Sequence, residues 1–517
     1  MLSKFYVSVD LGSNSFRLLV AKIMFTKYGC QVLPILNDRQ PVALASGLDA
    51  DNNLSDESIS RAIDAFNHFK HIIDVNLPST NNVNAINKGK ANVFIVATST
   101  FRIAKNIDIL IKAGQDILGA EIKTISGIEE AKLIYQGTSH TAPYSMNNKL
   151  VVDIGGGSTE LIIGKHHQQL LCESVNIGCI NITQTFFNEQ YTAEAFNNAI
   201  KYAQDKLSYI LDEYLELGWK QSIGSSGTSR ALAYIASQID DSENEYILTI
   251  KGLNLIKDYL VVCKTVENIK LKKVNTQRAN ILAGGLSIML AIFNSFKIKS
   301  MYVCEGGVRF GLLYDSVDSI QHDDIRNISI EVLRQRFSEN DVDNFSEIDE
   351  ILDNLSDRLI KTANKKAKII DDEQIKLLKW ALSLHNIGKY ISLDSMHKHS
   401  AYIVQNTYLA GFEIAQQNDL VNMLLGQKGG LTKINVEFIK QNHAILAILR
   451  LCLLILKHGL CKDMARLNDF SLEIKQDKSA TDFKLTLPLS TQMRTIFEDE
   501  QKAWSKVDMN LVVEFLE

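Results

Sequence analysis

Up to about residue 314, short apolar runs alternate with stretches whose apolar positions recur at helical spacing, a texture that predicts layered α/β structure. An apolar run ending in Asp10 passes through a turn of Gly, Ser and Asn into a second run, Phe16 to Val20. An amphipathic helix is predicted near Ser55 to Ile73, a strand at Val93 to Ala97 and a helix near Ile107 to Leu118, with the Asn- and Lys-rich Asn81 to Lys90 as an exposed loop. From about residue 131 the theme returns: a hairpin ending in Asp153, a helix near Ala193 to Leu215, a glycine turn at Gly224 to Thr228 and a strand around Ser300 to Cys304. After about residue 315 the spacing from Ile325 to Leu460 is mostly helical, which predicts a separate helical domain. Phe470 to Leu487 alternates polar and apolar residues, as a small β appendage does.

At 517 residues the chain is too long for one core. Its apolar share of 46% and charged share of 22% are those of a soluble globular protein. A net charge of -5 argues against a protein that coats nucleic acid, which is basic overall. The seven cysteines are scattered, without C-x-x-C spacing, as in a reduced, cytoplasmic protein. No signal peptide is readable at the N-terminus. Two stretches resemble membrane spans, which need about 20 uniformly apolar residues. Ala279 to Phe296 carries Gly284, Gly285, Ser287 and Asn294 and reads as a buried helix, while Ala444 to Leu456 is interrupted by Arg450 and is too short. No transmembrane segment is expected.

The two hairpins follow one plan, 143 residues apart: Val9-Asp10-Leu11-Gly12-Ser13-Asn14-Ser15-Phe16-Arg17 and Val152-Asp153-Ile154-Gly155-Gly156-Gly157-Ser158-Thr159-Glu160. One such hairpin is an ordinary tight turn. Its repetition in register points to a duplicated phosphate grip, because Gly12, Gly155, Gly156 and Gly157 let backbone N–H groups approach an anion while Ser15 and Ser158 add hydroxyls. Asp10 and Asp153 then lie where a carboxylate holds Mg²⁺ beside phosphate.

Thr98, Ser99, Thr100 and Arg102 crowd the carboxyl end of a predicted strand, the edge where α/β sheets collect ligands. Ser126-Gly127-Ile128-Glu129-Glu130 places two adjacent carboxylates in a first helical turn. Adjacent side chains diverge by about 100°, so at most one can face a cleft. Gly227 within Gly224 to Thr228, and Arg309 within Cys304 to Arg309, mark two further glycine turns; Arg278 and Lys165 are additional phosphate partners by charge.

With both hairpins, Thr98-Ser99-Thr100-Phe101-Arg102, Ser126-Gly127-Ile128-Glu129-Glu130-Ala131, Ser225-Ser226-Gly227-Thr228 and Glu305-Gly306-Gly307-Val308-Arg309 all present, the chain resembles the exopolyphosphatase/guanosine pentaphosphate phosphohydrolase (Ppx/GppA) family over nearly its full length. The resemblance implies two ribonuclease-H-like domains of the actin, heat-shock-chaperone and sugar-kinase superfamily, at 1–130 and 131–314, flanking a cleft. A helical HD-like domain at 315–465 and a small α+β domain at 466–517 would follow. It implies an Mg²⁺-dependent hydrolase removing terminal phosphate from inorganic polyphosphate, with guanosine pentaphosphate (pppGpp) as the alternative substrate at the same site. A superfamily kinase and a non-catalytic polyphosphate or alarmone sensor are the more distant readings. Carried over by motif, Glu130 is the catalytic glutamate with Glu129 as fallback. Asp10, Asp153 and Glu160 hold the metal, Ser13, Asn14, Ser15, Gly155, Gly156, Gly157 and Ser158 bind phosphate, and Arg17 and Arg102 are charge partners. A homodimer is implied, and peripheral association with the inner membrane face is compatible with the family.

In the helical part, His385-Asn386 with His397 and His399 is similar to an HD motif, but Asn386 stands where a metal-binding carboxylate belongs. A neutral amide is a poor substitute. These histidines therefore read as structural or as lining a polyanion path, to which basic clusters at Lys361 to Lys368 and Lys270 to Lys273 would add.

Overall fold

The computed structural model describes residues 5–76, 92–187, 190–272, 276–317, 324–337, 342–460, 468–476, 481–487 and 494–515. The Asn81 to Lys90 loop, Lys273 and Cys461 lie outside these. The chain forms two compact units, Met1–Asp323 and Asp324–Glu517.

The first unit contains two sheets. One is built from β1 (Phe5–Leu11), β2 (Ser15–Thr26), β3 (Gly29–Pro41), β4 (Asn92–Ala97) and β5 (Ile122–Thr124), in the order β3, β2, β1, β4, β5. Val7, Val9 and Leu11 of β1 and Phe16, Leu18 and Val20 of β2 bury one face against Phe66 and Phe69 of α1 (Asp56–Asn76) and Leu110 and Leu118 of α3 (Asp108–Leu118). Between them α2 (Ser99–Ile103) starts directly from the end of β4. After α4 (Gly127–Ser139) comes the second sheet: β6 (Lys149–Ile154), β7 (Thr159–Lys165), β8 (Gln168–Val175), β9 (Gln221–Gly224), β10 (Ile247–Thr249) and β11 (Ser300–Val303). Its order is β10, β11, β9, β6, β7, β8. The associated helices are α5 (Cys179–Phe186), α6 (Ala193–Leu217), α7 (Gly227–Ile239), α8 (Ile250–Cys263), α9 (Thr276–Ser295) and α10 (Val308–Asp315).

Without β10, the second sheet repeats the first strand for strand. β8, β7, β6, β9, β11 match β3, β2, β1, β4, β5 in order and in the sequence antiparallel, antiparallel, parallel, parallel. Each copy also breaks register at the same place, Val20/Ala21 in one and Ile163/Gly164 in the other, ten residues past the hairpin aspartate (10 to 20, 153 to 163). Helix α9 is buried on nearly every side, including Leu286, Met289, Ile292 and Phe293, which accounts for its uniformly apolar run.

The sequence boundaries at 130/131 and 314/315 fall inside α4 and α10. These two helices touch backbone to backbone: a Cβ on Gly311 would lie 1.9 Å from the Leu133 carbonyl oxygen, and one on Gly137 would lie 2.3 Å from that of Gly307. Gly311→Ala is therefore expected to cost about 1–3 kcal/mol by overpacking, read as a lower denaturant midpoint in urea.

Among the described residues, the second unit has six α-helices before its sheet: α11 (Ile325–Arg336), α12 (Val342–Ala363), α13 (Asp372–Leu384), α14 (Met396–Gln405), α15 (Ile414–Gly426) and α16 (Val436–Lys457). β12 (Ser471–Gln476), β13 (Thr481–Leu487), α17 (Thr495–Ser505) and β14 (Met509–Phe515) follow, with β14 parallel to β13. Among the described residues this last part has no separate core. Phe483, Phe497 and Trp504 belong to the same buried cluster as Leu378, Leu424 and Leu446 of the helices. Helix α16 is longer than its apolar run suggested: at 22 residues it is long and apolar enough to cross a membrane, yet 72% of that window is buried within the protein. In its middle, Arg450 pairs with Glu500 of α17 at 2.5 Å.

Candidate active site

Both hairpin turns open into one cleft. In β1 and β2 Asp10 faces Arg17 across the ladder; in β6 and β7 Asp153 faces Glu160 at the equivalent position. The turns approach closely enough that a Cβ on Gly156 would lie 3.7 Å from Ser13 Cβ, and one on Gly157 would lie 2.7 Å from Ser99 Oγ. Ser13, Asn14, Ser15, Arg17, Thr98, Ser99, Gly155, Gly156, Gly157, Ser158, Gly227, Arg278 and Arg309 all line this cleft, with Asp10, Asp153 and Glu130. Its volume is about 140 Å³, and it adjoins a second space of about 180 Å³ whose walls include Arg17, Arg39, Arg230, Arg278 and Arg309.

The two glutamates of the Glu129-Glu130 pair separate as their helical angle requires. Ser126 caps α4, accepting from the Glu129 N–H at 3.1 Å while Glu129 Oε2 accepts from the Ser126 N–H at 2.8 Å. That reciprocal capping box consumes Glu129. It does not line the cleft; its carboxyl is held below the ordinary range by those hydrogen bonds, first the Ser126 backbone. Glu130 turns inward, and Arg102, which donates to the Ile125 carbonyl at 2.8 Å, grips it at 3.1 Å. Burial, reinforced by the Asp10 charge and opposed by Arg102, pushes Glu130 up to about 7. Arg102 thus meets a carboxylate, where the sequence placed it on phosphate; it is not on the cleft wall.

Asp10 and Asp153 are raised chiefly by burial. Arg17 and Arg309 oppose the rise at Asp10; a 2.6 Å hydrogen bond from Ser225 opposes it at Asp153, and the Asp10 charge adds to it. Glu160 is 1% exposed, accepts a 2.8 Å hydrogen bond from Ser174 of β8 and stands off the cleft wall. Burial raises it well above the ordinary range, with Glu130 and Asp153 adding repulsion. Among the described residues no group of three or more acidic, imidazole or thiol side chains is placed to hold a metal ion. Lys165 is exposed at the far end of β7, away from the cleft.

Arg39 and Arg230 were not legible as site residues. Arg39 sits on β3 outside any motif, and Arg230 follows the Gly227 turn by three residues on α7. Both side chains carry a buried Nε without a hydrogen-bond partner among the described residues. Arg230 pairs with Glu305 at 3.1 Å. Burial, then Arg17, lowers both Arg39 and Arg309 to about 10, the signature of cations crowded together.

A sequence model of the Ppx/GppA phosphatase family matches residues 23–320, and one of its domain III matches residues 325–495. The chain belongs to the Ppx/GppA phosphatase family. This membership makes it a hydrolase of phosphoanhydride bonds. It is 34% identical over 493 residues to a protein of Vibrio atlanticus named guanosine-5'-triphosphate,3'-diphosphate pyrophosphatase, covering 94% of this chain and 92% of that one. A protein of the same name from Pseudoalteromonas translucida is 32% identical over 519 residues, 98% of each chain. Among solved structures, an exopolyphosphatase from Cytophaga hutchinsonii is 22% identical with a TM-score of 0.53, over 61% of this chain and 98% of that one, which shows the fold. The Ppx/GppA family thus accounts for the α/β first unit and its duplicated sheets, consistent with an actin-like architecture.

Proposed function

We propose that this chain hydrolyses the 5'-terminal phosphoanhydride of guanosine 5'-triphosphate 3'-diphosphate, releasing orthophosphate and the 5',3'-bisdiphosphate. The observation that carries the chemistry is Glu130, alone of its pair turned into the cleft between the two glycine turns. A carboxylate raised to about 7 is matched to accepting a proton near neutral pH. Glu130 orients the water and takes its proton as oxygen attacks the terminal phosphorus; the bond from that phosphorus to the bridging oxygen breaks, and the diphosphate end leaves. The Gly12 and Gly155 to Gly157 turns, with Ser13, Ser15 and Ser158, grip the phosphates being parted.

Mg²⁺ fits the donor set. Asp10 and Asp153 are hard oxygen donors on the cleft wall, each raised chiefly by desolvation, and Mg²⁺ is commonly held by one or two carboxylates with the rest from substrate phosphates. Bound there by Asp10 and Asp153, it would supply neutralisation of the charge developing on the phosphoryl oxygens. Arg102 acts on Glu130 as a positioning residue and, by its charge, keeps the carboxyl from rising further. The acid limb of kcat/KM is expected near pH 7 in the wild type and displaced upward in Arg102→Gln, read from pH-rate profiles under substrate-limiting conditions.

The sequence motifs alone rank polyphosphate first. The Vibrio and Pseudoalteromonas relatives carry the alarmone's name, and the five-arginine space beside the cleft suits a branched substrate with a second diphosphate arm, so pppGpp ranks ahead of polyphosphate. Orthophosphate release by the full chain with Mg²⁺ from pppGpp and from long-chain polyphosphate tests this. A higher kcat/KM for pppGpp is expected; a preference for polyphosphate overturns the substrate assignment.

A further inference from the structure

The second unit carries an open-mouthed cavity of about 910 Å³, in the range of small-molecule sites and far roomier than the cleft. Its floor is polar and closed: Gln427, Arg450 and Glu500 are buried, and the Arg450 charge is taken up by Glu500 and by the carbonyls of Gly426 and Gly429. Its apolar walls are formed by Met396, Leu453, Leu454, Leu456 and Ile496, with no Phe, Tyr or Trp among the described lining residues. Leu393, 80% exposed, stands at its mouth.

One end is crowded with positive charge. Lys428 lines the cavity, and the Lys433 ammonium lies against the Lys428 carbonyl and 3.1 Å from Nε2 of His397, which also lines it. Lys457 and Lys506 lie on the same walls. Of the two acids present, Glu500 is committed to Arg450 and Trp504, and Asp499 lies 3.5 Å from Lys502. Among the described residues no carboxylate comes within ion-pair distance of Lys428, Lys433, Lys457 or Lys506. Burial, followed by the charges of Arg450, Lys398 and Lys428, holds Lys433 down to about 8; burial and then Lys433 hold His397 at about 4, so its imidazole is neutral. Cations without a carboxylate partner among the described residues, beside an aliphatic wall, describe the complement of a molecule with a charged head and an apolar body.

We propose that this cavity is a second, non-catalytic binding site for an anionic amphiphile, its phosphate or carboxylate head on Lys428, Lys433 and His397 and its aliphatic body along Leu453, Leu454 and Leu456. A nucleotide is a poorer match because no phenyl, phenol or indole ring lines the wall among the described residues to stack on its base, and free polyphosphate would leave the aliphatic wall bare. His385 and His397 both line the cavity, but with no third ligand among the described residues they form no metal centre.

Calorimetric titration of the full chain with octyl phosphate and octanoate tests the assignment, with octanol supplying the tail alone and inorganic phosphate the head alone. At least one octyl anion is expected to bind about tenfold or more tighter than either half-molecule, and the stronger of the two identifies the head. Lys428→Glu, at an exposed loop position that leaves the fold intact, is expected to weaken it by about tenfold, as is Leu454→Ser, with pppGpp hydrolysis unchanged in the first. Equal binding by octanol or phosphate, unaltered binding by both variants, or no binding by the wild type overturns the proposal.

Discussion

Glu130→Gln is expected to lower orthophosphate release by about 10²–10⁴-fold, the usual worth of a positioned general base, while substrate still binds. It is also expected to stabilise the protein above neutral pH. Glu130 titrates at about 7 in the fold against 4.5 for the free group, so the folded state binds more protons than the unfolded one between those values. Stability therefore falls as pH rises through that window, by an amount of order a few kcal/mol. Glutamine keeps the shape, removes the charge that burial and Asp10 oppose, and leaves Arg102 its hydrogen bond to the Ile125 carbonyl. Thermal unfolding at pH 6 and pH 8 should show a wild-type midpoint that drops across the interval and a variant midpoint that drops less. Loss of activity with loss of stability at pH 8 would instead mean that the carboxylate is structural.

The second large effect lies in the other unit. Arg450→Ala or Glu500→Ala is expected to cost about 3–5 kcal/mol, because each leaves the partner charged and buried without its counter-ion. The Arg450 and Glu500 side chains are 3% and 9% exposed, and Glu500 also accepts from the Trp504 indole at 2.7 Å. Trp504 fluorescence during urea unfolding reports on this contact directly. The double replacement Arg450→Met with Glu500→Leu should cost less than either single alanine, since it removes both charges and fills the space.

The phosphate hairpins were legible because their chemistry is local: aspartate, glycine and serine within one turn, repeated at a fixed offset. The choice between Glu129 and Glu130 was legible too, in principle. Ser126-Gly127-Ile128-Glu129 has the Ser-x-x-Glu spacing of a capping box, which leaves only Glu130 available. The Arg102–Glu130 contact carries no local signal because the partners are 28 residues apart, separated by α3, β5 and the start of α4, and only folding brings them together. Arg39 carries no local signal at all; it reaches the cavity because β3 is the outer strand of the first sheet. The C-terminal strands looked like an appendage since their alternation is self-contained, whereas the rings that anchor them, Phe483 and Trp504, insert among helical residues far back in the chain.

The strand-for-strand repeat of the two sheets has one further consequence. Two equivalent turns line one cleft, and an anhydride link, with phosphorus on either side of one oxygen, is itself nearly symmetric. A symmetric grip would seat the link in either direction and attack either phosphorus. Substitution of arginine for glutamate at one matched position, Arg17 against Glu160, together with a base on one helix alone, removes the ambiguity. Under the proposed reaction the duplicated scaffold would supply the embrace, and its few unmatched side chains would set which end of the substrate enters first.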